Sequence, residues 1–453
     1  MTDRFDAADF GRQFQQFMRA MSRLAPDPPP GPLFDRLERH LGRSPLDLPV
    51  VTAAFPPHEH ANVAIALDTL TSARSEPTAL IGVRSPGREY AGLGDIVDGA
   101  ARHQYGLGAA DYQSLPVGVD AQRSCVSFGI FLTTSGDRPI AVLLRVGNRR
   151  TGKPRVLVEV LAPEPDVGQE LLAELRAHLD RVNIHRGHLI SFDPGRDGEP
   201  VGSVRFHRRQ VVPAASVVLP DGALASLDRQ VHGVEEHRAA LLAAGHRLRR
   251  GVLLHGPPGT GKTLVVRHLI SRLPGHTAVV LSGRQLDLVR EACDLARRAA
   301  PAVVVLEDGD LVAQDRRSGD RNPVLFDILD EMDGTAEDAD LTFVLTTNHP
   351  GALEDALARR PGRIDLAVEV PLPDADSRQR LLTVHGRDLE LSETERAEMV
   401  AMTAGVTGAF FPELARRATV AALTDGISRA RYPQVRRAAL DMFSHQLSTD
   451  DAD

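Results

Sequence analysis

The fold of this chain is decided by the stretch Gly256-Pro257-Pro258-Gly259-Thr260-Gly261-Lys262-Thr263. The apolar run Val252–Leu254 precedes it, separated by His255 alone, and Leu264–Leu273, whose apolar residues recur at helical spacing, directly follows it. The pattern therefore predicts a strand, a glycine-rich turn and a helix in close succession.

A turn of this kind suits a chain of phosphate groups. The glycines leave no side chain between backbone and ligand, so successive N–H groups can form a cradle, and the next helix N-terminus adds its positive end. Lys262 is then expected at the β- and γ-phosphates, and the Thr263 hydroxyl at Mg²⁺. The alternative is an ordinary Gly/Pro turn. Composition disfavours it, because the chain has two lysines, Lys153 and Lys262, among 53 basic residues, and a compact ammonium suits a phosphate.

Length and composition set broad limits. A chain of 453 residues is long enough for two to four domains. Its net charge of −8 provides no global basic field, which disfavours nucleic acid as a partner. The N-terminus has no basic-then-apolar leader and no apolar run approaches the roughly twenty residues of a membrane span, so we expect a cytoplasmic protein without membrane association. Cys125 and Cys293 have apolar neighbours and are expected as buried free thiols.

The part of the chain before the phosphate turn predicts two segments. Residues 1–32 are expected to form a helix followed by a proline-rich linker, and residues 33–212 an N-terminal α/β domain that binds a partner. The clearest local element there is a hairpin of Ile140–Val146 and Val156–Leu161 around a Gly/Asn turn. No catalytic motif is recognisable in this domain.

Two clusters in the N-terminal domain admit a functional alternative. His58-Glu59-His60 offers metal-ligating side chains, but its spacing fits no helical metal site and two prolines precede it, so a structural role is favoured. The hairpin turn Gly147–Arg155 is basic and could meet an acidic partner or nucleic acid. A solvated loop is the favoured interpretation of this turn.

Residues 213–372 are expected to form an α/β core. Near-continuous apolar runs at Ala278–Leu281, Ala302–Glu307 and Leu341–Thr347 alternate with helical segments. Such runs indicate a parallel sheet covered on both faces, with ligands gathering at the carboxyl ends of its strands.

Polar residues follow the apolar runs where those ends are expected. Glu307 and Asp308 come directly after one strand, and Asn348 follows another. We expect Glu307 to hold Mg²⁺, Asp308 to polarise the attacking water, and Asn348 to orient that water or contact the γ-phosphate. The alternative for the two acids is an ordinary loop beginning. The cluster Arg359–Asp365 is either a charged surface corner or a pair of arginines that enters a neighbouring subunit's site.

The sequence resembles the AAA ATPase family of the P-loop NTPase superfamily. The resemblance runs from about Val217 to Leu423 and rests on four motifs in the family's order: Gly251–Thr263, Asp330–Gly334, Thr347–Pro350 and Arg360–Asp365. It implies an ATPase core, a helical lid from about Pro373 within residues 373–453, which end in an acidic tail, and a homo-oligomeric ring, usually of six. By the same resemblance Arg360 and Arg363 are the arginine fingers, Asn348 is the first sensor, and Gly408 and Ala409 belong to a lid turn that meets nucleotide.

Two departures from the family pattern concern activity and substrate. The family usually has Asp-Glu where this chain has Glu307-Asp308, so the expected base is one methylene shorter. Members that thread protein carry an aromatic pore loop after the second strand, whereas here Ser282–Gln285 leads directly into the helical stretch Leu286–Ala299. Threading by an aromatic pore loop is therefore not expected.

These observations favour an ATP-binding and ATP-hydrolysing, Mg²⁺-dependent ring that remodels or disassembles a protein partner recruited by residues 1–212. The alternative is a nucleotide-gated assembly switch or scaffold with slow hydrolysis, which the acid order and the missing pore loop favour. A nucleic-acid motor is disfavoured by the net charge.

Overall fold

The computed structural model describes residues 16, 30–74, 78–147, 155–193, 203–307, 327–328, 330–332, 339–349 and 364–450. The chain forms two compact units, one of residues 1–115 and 122–182, the other of residues 116–121 and 183–453. Within the described residues, none of the helices has both the length and the apolarity that crossing a bilayer requires.

The first unit is a mixed α/β structure built on an antiparallel sheet. Its helices are α1 Pro32–Leu41, α2 His60–Ser72, α3 Leu93–Ala101 and α4 Pro165–Arg181. Its strands are β1 Val50–Phe55, β2 Ala79–Arg84, β3 Gly106–Gly108, β4 Asp111–Gly118, β5 Ala121–Ser135, β6 Arg138–Val146 and β7 Val156–Leu161. The strand order is β1-β7-β6-β5-β2-β3, with β4 paired to β5.

The predicted hairpin of the first unit is confirmed as β6 and β7. Their antiparallel register pairs Ala141 with Leu161 and Val146 with Val156. Alternate side chains of these strands face the core, which also contains Leu33 and Leu37 of α1. The central residues 148–154 of the basic turn lie outside the described residues, so its predicted role stays a prediction.

The second unit contains the predicted parallel sheet. Its strands are β8 Leu189–Asp193, β9 Ser203–His207, β10 Arg250–His255, β11 Thr277–Ser282, β12 Ala302–Glu307, β13 Leu341–Thr347 and β14 Leu366–Glu369. Helices α5 Ala223–Asp228, α6 Val234–Glu236, α7 Arg238–Ala243, α8 Lys262–Ser271 and α9 Val289–Arg298 accompany it. The order is β14-β10-β13-β12-β11-β8-β9, and every pair of neighbours is parallel except β8 with β9.

The predicted domain boundary at residue 212 is wrong. Strand β8 pairs with β11 of the core sheet, where Ile190 lies opposite Val279, and β9 pairs with β8 in turn. The reason is apolar burial, because Ile190, Phe192 and Phe206 are buried in the core beneath β11 and β12. The first unit therefore ends near residue 182.

The parallel register aligns the carboxyl ends of the strands at one edge of the sheet. His255, the last residue of β10, lies opposite Thr347 of β13 and Glu369 of β14. Ser282 of β11 lies opposite Glu307 of β12. The phosphate turn and the predicted polar residues therefore converge there, as expected for ligand binding in such sheets.

The predicted helical lid is present within the second unit. It comprises α10 Ala375–His385, α11 Glu393–Met402, α12 Phe410–Thr424 and α13 Tyr432–Asp450, with short strands β15 Leu389–Glu390 and β16 Ala430–Arg431. Phe410 and Phe411, which depart from the family pattern, are buried in the lid core. The Phe410 ring stacks on Phe443 at 5.3 Å between centroids, so these aromatic residues hold α12 against α13.

Candidate functional site

The phosphate turn has a backbone that only glycine adopts easily. Gly256 and Gly259 have φ angles of 140° and 74°, in the region that L side chains avoid. A Cβ at Gly256 would lie 2.2 Å from the Val370 carbonyl oxygen, and one at Gly259 would lie 3.1 Å from Thr407 Oγ1. These glycines therefore allow the turn to pass close to the end of β14 and to the lid.

Lys262 is held inside the turn. It is the first residue of α8 and is 7% exposed. Its Nζ donates to the carbonyl oxygens of Gly256 at 2.7 Å and Pro257 at 2.9 Å, and Thr260 Oγ1 donates to the same Pro257 oxygen at 2.9 Å. The ammonium thus lies at the inner side of a glycine-lined turn. Together with the backbone N–H groups of the turn, it can donate hydrogen bonds to a chain of phosphates.

Thr263 and Glu307, the predicted metal residues, line a common cavity. Thr263 is exposed in the first turn of α8, and Glu307 is half-buried at the end of β12. A hydroxyl and a carboxylate are oxygen ligands of the kind Mg²⁺ prefers, so the residues present fit this ion. Asp308, the predicted base, lies outside the described residues.

The lid contacts the phosphate turn directly. The backbone N–H of Ala409 donates to the Gly259 carbonyl oxygen at 2.9 Å. A Cβ at Gly408 would lie 3.3 Å from the Thr260 carbonyl oxygen, so glycine permits this close approach. Gly408 and Ala409 were predicted at the site from the family resemblance, and the structure brings both to it.

A cavity of about 440 Å³ lies between the turn and the lid. Residues 258–265, Asn348, Gly408 and Ala409 line it, so most of the predicted residues converge on one space. Asn348 is half-buried directly after β13. Arg360 and Arg363, the predicted arginine fingers, lie outside the described residues, as does Pro350.

The other wall of this cavity was missed by sequence reasoning. Val217, Val218, Leu381 and Pro412 give it an apolar surface, and His385 adds an imidazole. Burial lowers the pKa of His385, which favours the neutral ring. A flat heteroaromatic base fits such a wall, with the phosphate-binding turn at the other side of the cavity. No local motif marks these residues, because they come from a segment before the turn and from two lid helices.

The connection after β11 is short, as predicted. Gly283–Leu288 forms a single 3₁₀ helix that leads into α9. Gln285 fixes it, because its Oε1 accepts from the Ser282 N–H at 3.0 Å and its Nε2 donates to the Phe192 carbonyl oxygen at 2.5 Å. One side-chain hydrogen bond, from Gln285 to Phe192, anchors this connection to β8, and the connection contains no aromatic residue.

The structure also shows the contacts of the histidine-rich stretch and of Glu331, and the burial of the two cysteines. His60 Nε2 is 2.8 Å from the Val126 carbonyl oxygen, and Asn62 Nδ2 donates to Glu59 Oε2 at 2.9 Å, so the histidine-rich stretch is tied into the first unit. Glu331, within a family-like motif, forms an ion pair with Arg297 of α9. Cys125 and Cys293 are buried free thiols, as predicted.

Comparison with known proteins finds a family match that includes the phosphate turn. Residues 252–372 match the family described as "ATPase family associated with various cellular activities (AAA)". Proteasome-activating nucleotidase 2 of Halobacterium salinarum is 31% identical over 277 residues, which cover 54% of this chain and 66% of that relative. The proteasome-activating nucleotidase of Methanoregula boonei is 38% identical over 175 residues, or 35% of this chain and 40% of the relative.

A second kind of relative is also similar. ATP-dependent zinc metalloprotease FtsH 1 of Symbiobacterium thermophilum is 37% identical over 182 residues, which cover 37% of this chain and 30% of that protein. The chain thus spans less than two thirds of the length of these relatives.

Proposed function

The chain belongs to the AAA ATPase family, and from that premise we propose that it binds and hydrolyses ATP with Mg²⁺ in a homo-oligomeric ring and uses the energy to remodel or disassemble a protein partner. The observation that carries the proposal is the closed contact between turn and lid, in which the Ala409 N–H donates to the Gly259 carbonyl oxygen. A nucleotide bound there touches both the sheet and the lid. Its hydrolysis can therefore change how the two parts fit together.

The roles of the residues follow from their positions. The backbone of residues 256–261 receives the phosphates, Lys262 offsets their charge, and Thr263 and Glu307 hold the metal. Mg²⁺, when bound, neutralises charge on the phosphate oxygens. Asn348 lines the same cavity and orients the attacking water, and Asp308 accepts its proton. The base of ATP packs on Val217, Val218 and Leu381 beside His385.

Ring assembly and the partner extend this proposal to the whole chain. Arg360 and Arg363 enter the site of a neighbouring subunit and stabilise charge during phosphoryl transfer, within a ring of six. A protein partner is favoured because two relatives are named proteasome-activating nucleotidases. The first unit, up to about residue 182, recruits that partner. The order Glu307-Asp308 is compatible with hydrolysis, because an acid pair is retained at the end of β12.

A second candidate is a nucleotide-gated assembly switch with slow hydrolysis. The observation that favours it is the short connection Gly283–Leu288, which Gln285 ties to β8 where threading relatives carry a pore loop. In that case assembly itself is the output, and the ATP-bound state persists.

Turnover across a dilution series distinguishes the two. ATP hydrolysis per subunit is measured on the full chain with molar mass recorded in the same samples, and Asp308→Asn is the control that binds nucleotide without hydrolysing it. We expect specific activity to rise as rings form, since the arginines act across the subunit boundary. Negligible turnover with ATP-dependent assembly would support the switch, and full turnover by isolated subunits would contradict the ring mechanism.

A further inference from the structure

The chain makes a tight turn directly after β13, and a threonine side chain holds it. Thr347, the last residue of the strand, accepts a hydrogen bond at its Oγ1 from the backbone N–H of His349 at 3.0 Å. A threonine that accepts from the N–H two residues later fixes the backbone between the two residues. The residue between them is Asn348, which lines the cavity between the phosphate turn and the lid.

The sheet fixes the position of this acceptor. Thr347 is fully buried and lies opposite His255, the last residue of β10, in the parallel register. His255 directly precedes the phosphate turn. A β-branched side chain has few χ1 rotamers, and burial in a strand restricts it further. The Thr347 hydroxyl therefore holds the chain that carries Asn348 at a set place relative to the start of the phosphate turn.

A second buried threonine of the same strand has a hydroxyl in a different situation. Thr342, the second residue of β13, is also fully buried, but its Oγ1 has no hydrogen-bond partner among the described residues. Valine has nearly the same shape as threonine. At position 342 it removes no hydrogen bond to a described residue, whereas at position 347 it removes the acceptor of the His349 N–H. The two sites thus allow the same substitution with opposite consequences for the turn.

We propose that Thr347 is a positioning residue for ATP hydrolysis, and that its hydroxyl holds Asn348 in the orientation that meets the attacking water. The inference rests on the proposed function, because Thr347 acts through Asn348 and does not touch the substrate itself. Without the hydroxyl, the chain after β13 can adopt other backbone conformations, and Asn348 then spends less time in the productive one. A misplacement of about 1 Å near the reacting atoms can lower a rate by about a hundredfold.

The test is ATP hydrolysis by the full chain carrying Thr347→Val, with nucleotide affinity measured separately by titration. We expect kcat to fall roughly tenfold and ATP affinity to stay within about twofold of wild type, since the phosphate turn is untouched. Valine suits a buried strand, so the variant folds. Thr347→Ser keeps the hydroxyl and should recover most of the lost rate. Thr342→Val is the matched control and should hydrolyse ATP like wild type.

A double substitution separates positioning from a general effect on the fold. Asn348→Ala alone should lower kcat, and adding Thr347→Val should lower it no further, because the two residues act as one unit. Additive losses, unchanged kcat in Thr347→Val, no recovery in Thr347→Ser, or an equal loss in Thr342→Val would each overturn this inference alone. Wild-type turnover in Asn348→Ala, or no turnover in the wild-type chain, would overturn the proposed function and this inference together.

Discussion

The two edges of the parallel sheet in the second unit use charge in opposite ways. At the carboxyl edge, Lys262 faces a glycine-lined turn and a cavity of about 440 Å³. At the amino edge, Arg250 Nη1 donates to Asp340 Oδ1 at 3.0 Å, and Arg238 Nε donates to Asp340 Oδ2 at 2.9 Å. The first edge offers charge to a ligand, and the second pairs its charges within the protein.

The same strands produce both arrangements. Arg250 begins β10, and Asp340 directly precedes β13, so parallel pairing brings them together at one edge. The carboxyl ends of β10 and β13 lie at the opposite edge of the sheet. The phosphate turn follows β10 there, and Asn348 follows β13. Buried charge at the amino edge is therefore expected to affect folding, and charge at the carboxyl edge to affect binding.

Removing the buried ion pair at the amino edge should have the largest effect, and this effect should be on the free energy of unfolding. Asp340→Asn leaves Arg250, whose side chain is 3% exposed, without its carboxylate. Removal of one partner of a buried ion pair costs about 3–5 kcal/mol of unfolding free energy. Urea denaturation measures this loss of unfolding free energy. The nucleotide affinity of the folded protein should be unchanged. Asp388→Asn, at an exposed position, is the control and should stay within about 0.5 kcal/mol of wild type.

Removing the charge of Lys262 at the carboxyl edge should have the next largest effect, and this effect should be on ATP affinity. Lys262→Ala removes the ammonium from the phosphate turn, and we expect ATP affinity to fall at least about a hundredfold. Titration with a fluorescent ATP analogue measures the loss. Lys153→Ala removes the other lysine of the chain and should bind like wild type. Unchanged affinity in Lys262→Ala would show that the turn does not hold the phosphates.

Lowering the pH should gradually reduce the free energy of unfolding through a histidine at the amino edge. His276 is buried there, its Nε2 lies 3.2 Å from Glu235 Oε2, and burial lowers its pKa below the ordinary value of 6.5. The folded ring then binds a proton less readily than the unfolded one. Its contribution is complete above about pH 6.5 and is lost as the pH falls below that, by at most about 1.4 kcal/mol per pH unit.

Denaturation of wild type and His276→Gln between pH 4 and 8 tests this. The variant lacks the titrating ring, so its unfolding free energy should fall less steeply below pH 6.5. Parallel pH profiles in the two proteins would contradict the assignment.

Much of this contrast was predictable from the sequence, but unevenly. The phosphate turn and the strands β12 and β13 follow from local patterns, because each is a short stretch with a characteristic spacing, whereas the lid turn at Gly408 follows from the family resemblance. The wall formed by Val217, Leu381 and His385 could not be predicted, because its members are far apart in the chain and only the fold brings them together. The local sequence pattern also could not show which of the two sheets β8 and β9 join. An apolar hairpin has the same alternation in either sheet, and which sheet buries Phe192 depends on the tertiary fold.

The measurement that tests the central claim most directly is hydrogen exchange of the full chain with and without Mg²⁺ and a non-hydrolysable ATP analogue. Amides in residues 256–263 and 407–410 should exchange more slowly with nucleotide, since the turn holds the phosphates and the lid closes on it. Peptides of the amino edge, which contain Arg238 and His276, should exchange at the same rate in both states. Protection confined to the amino edge, or absent from residues 256–263, would contradict the account.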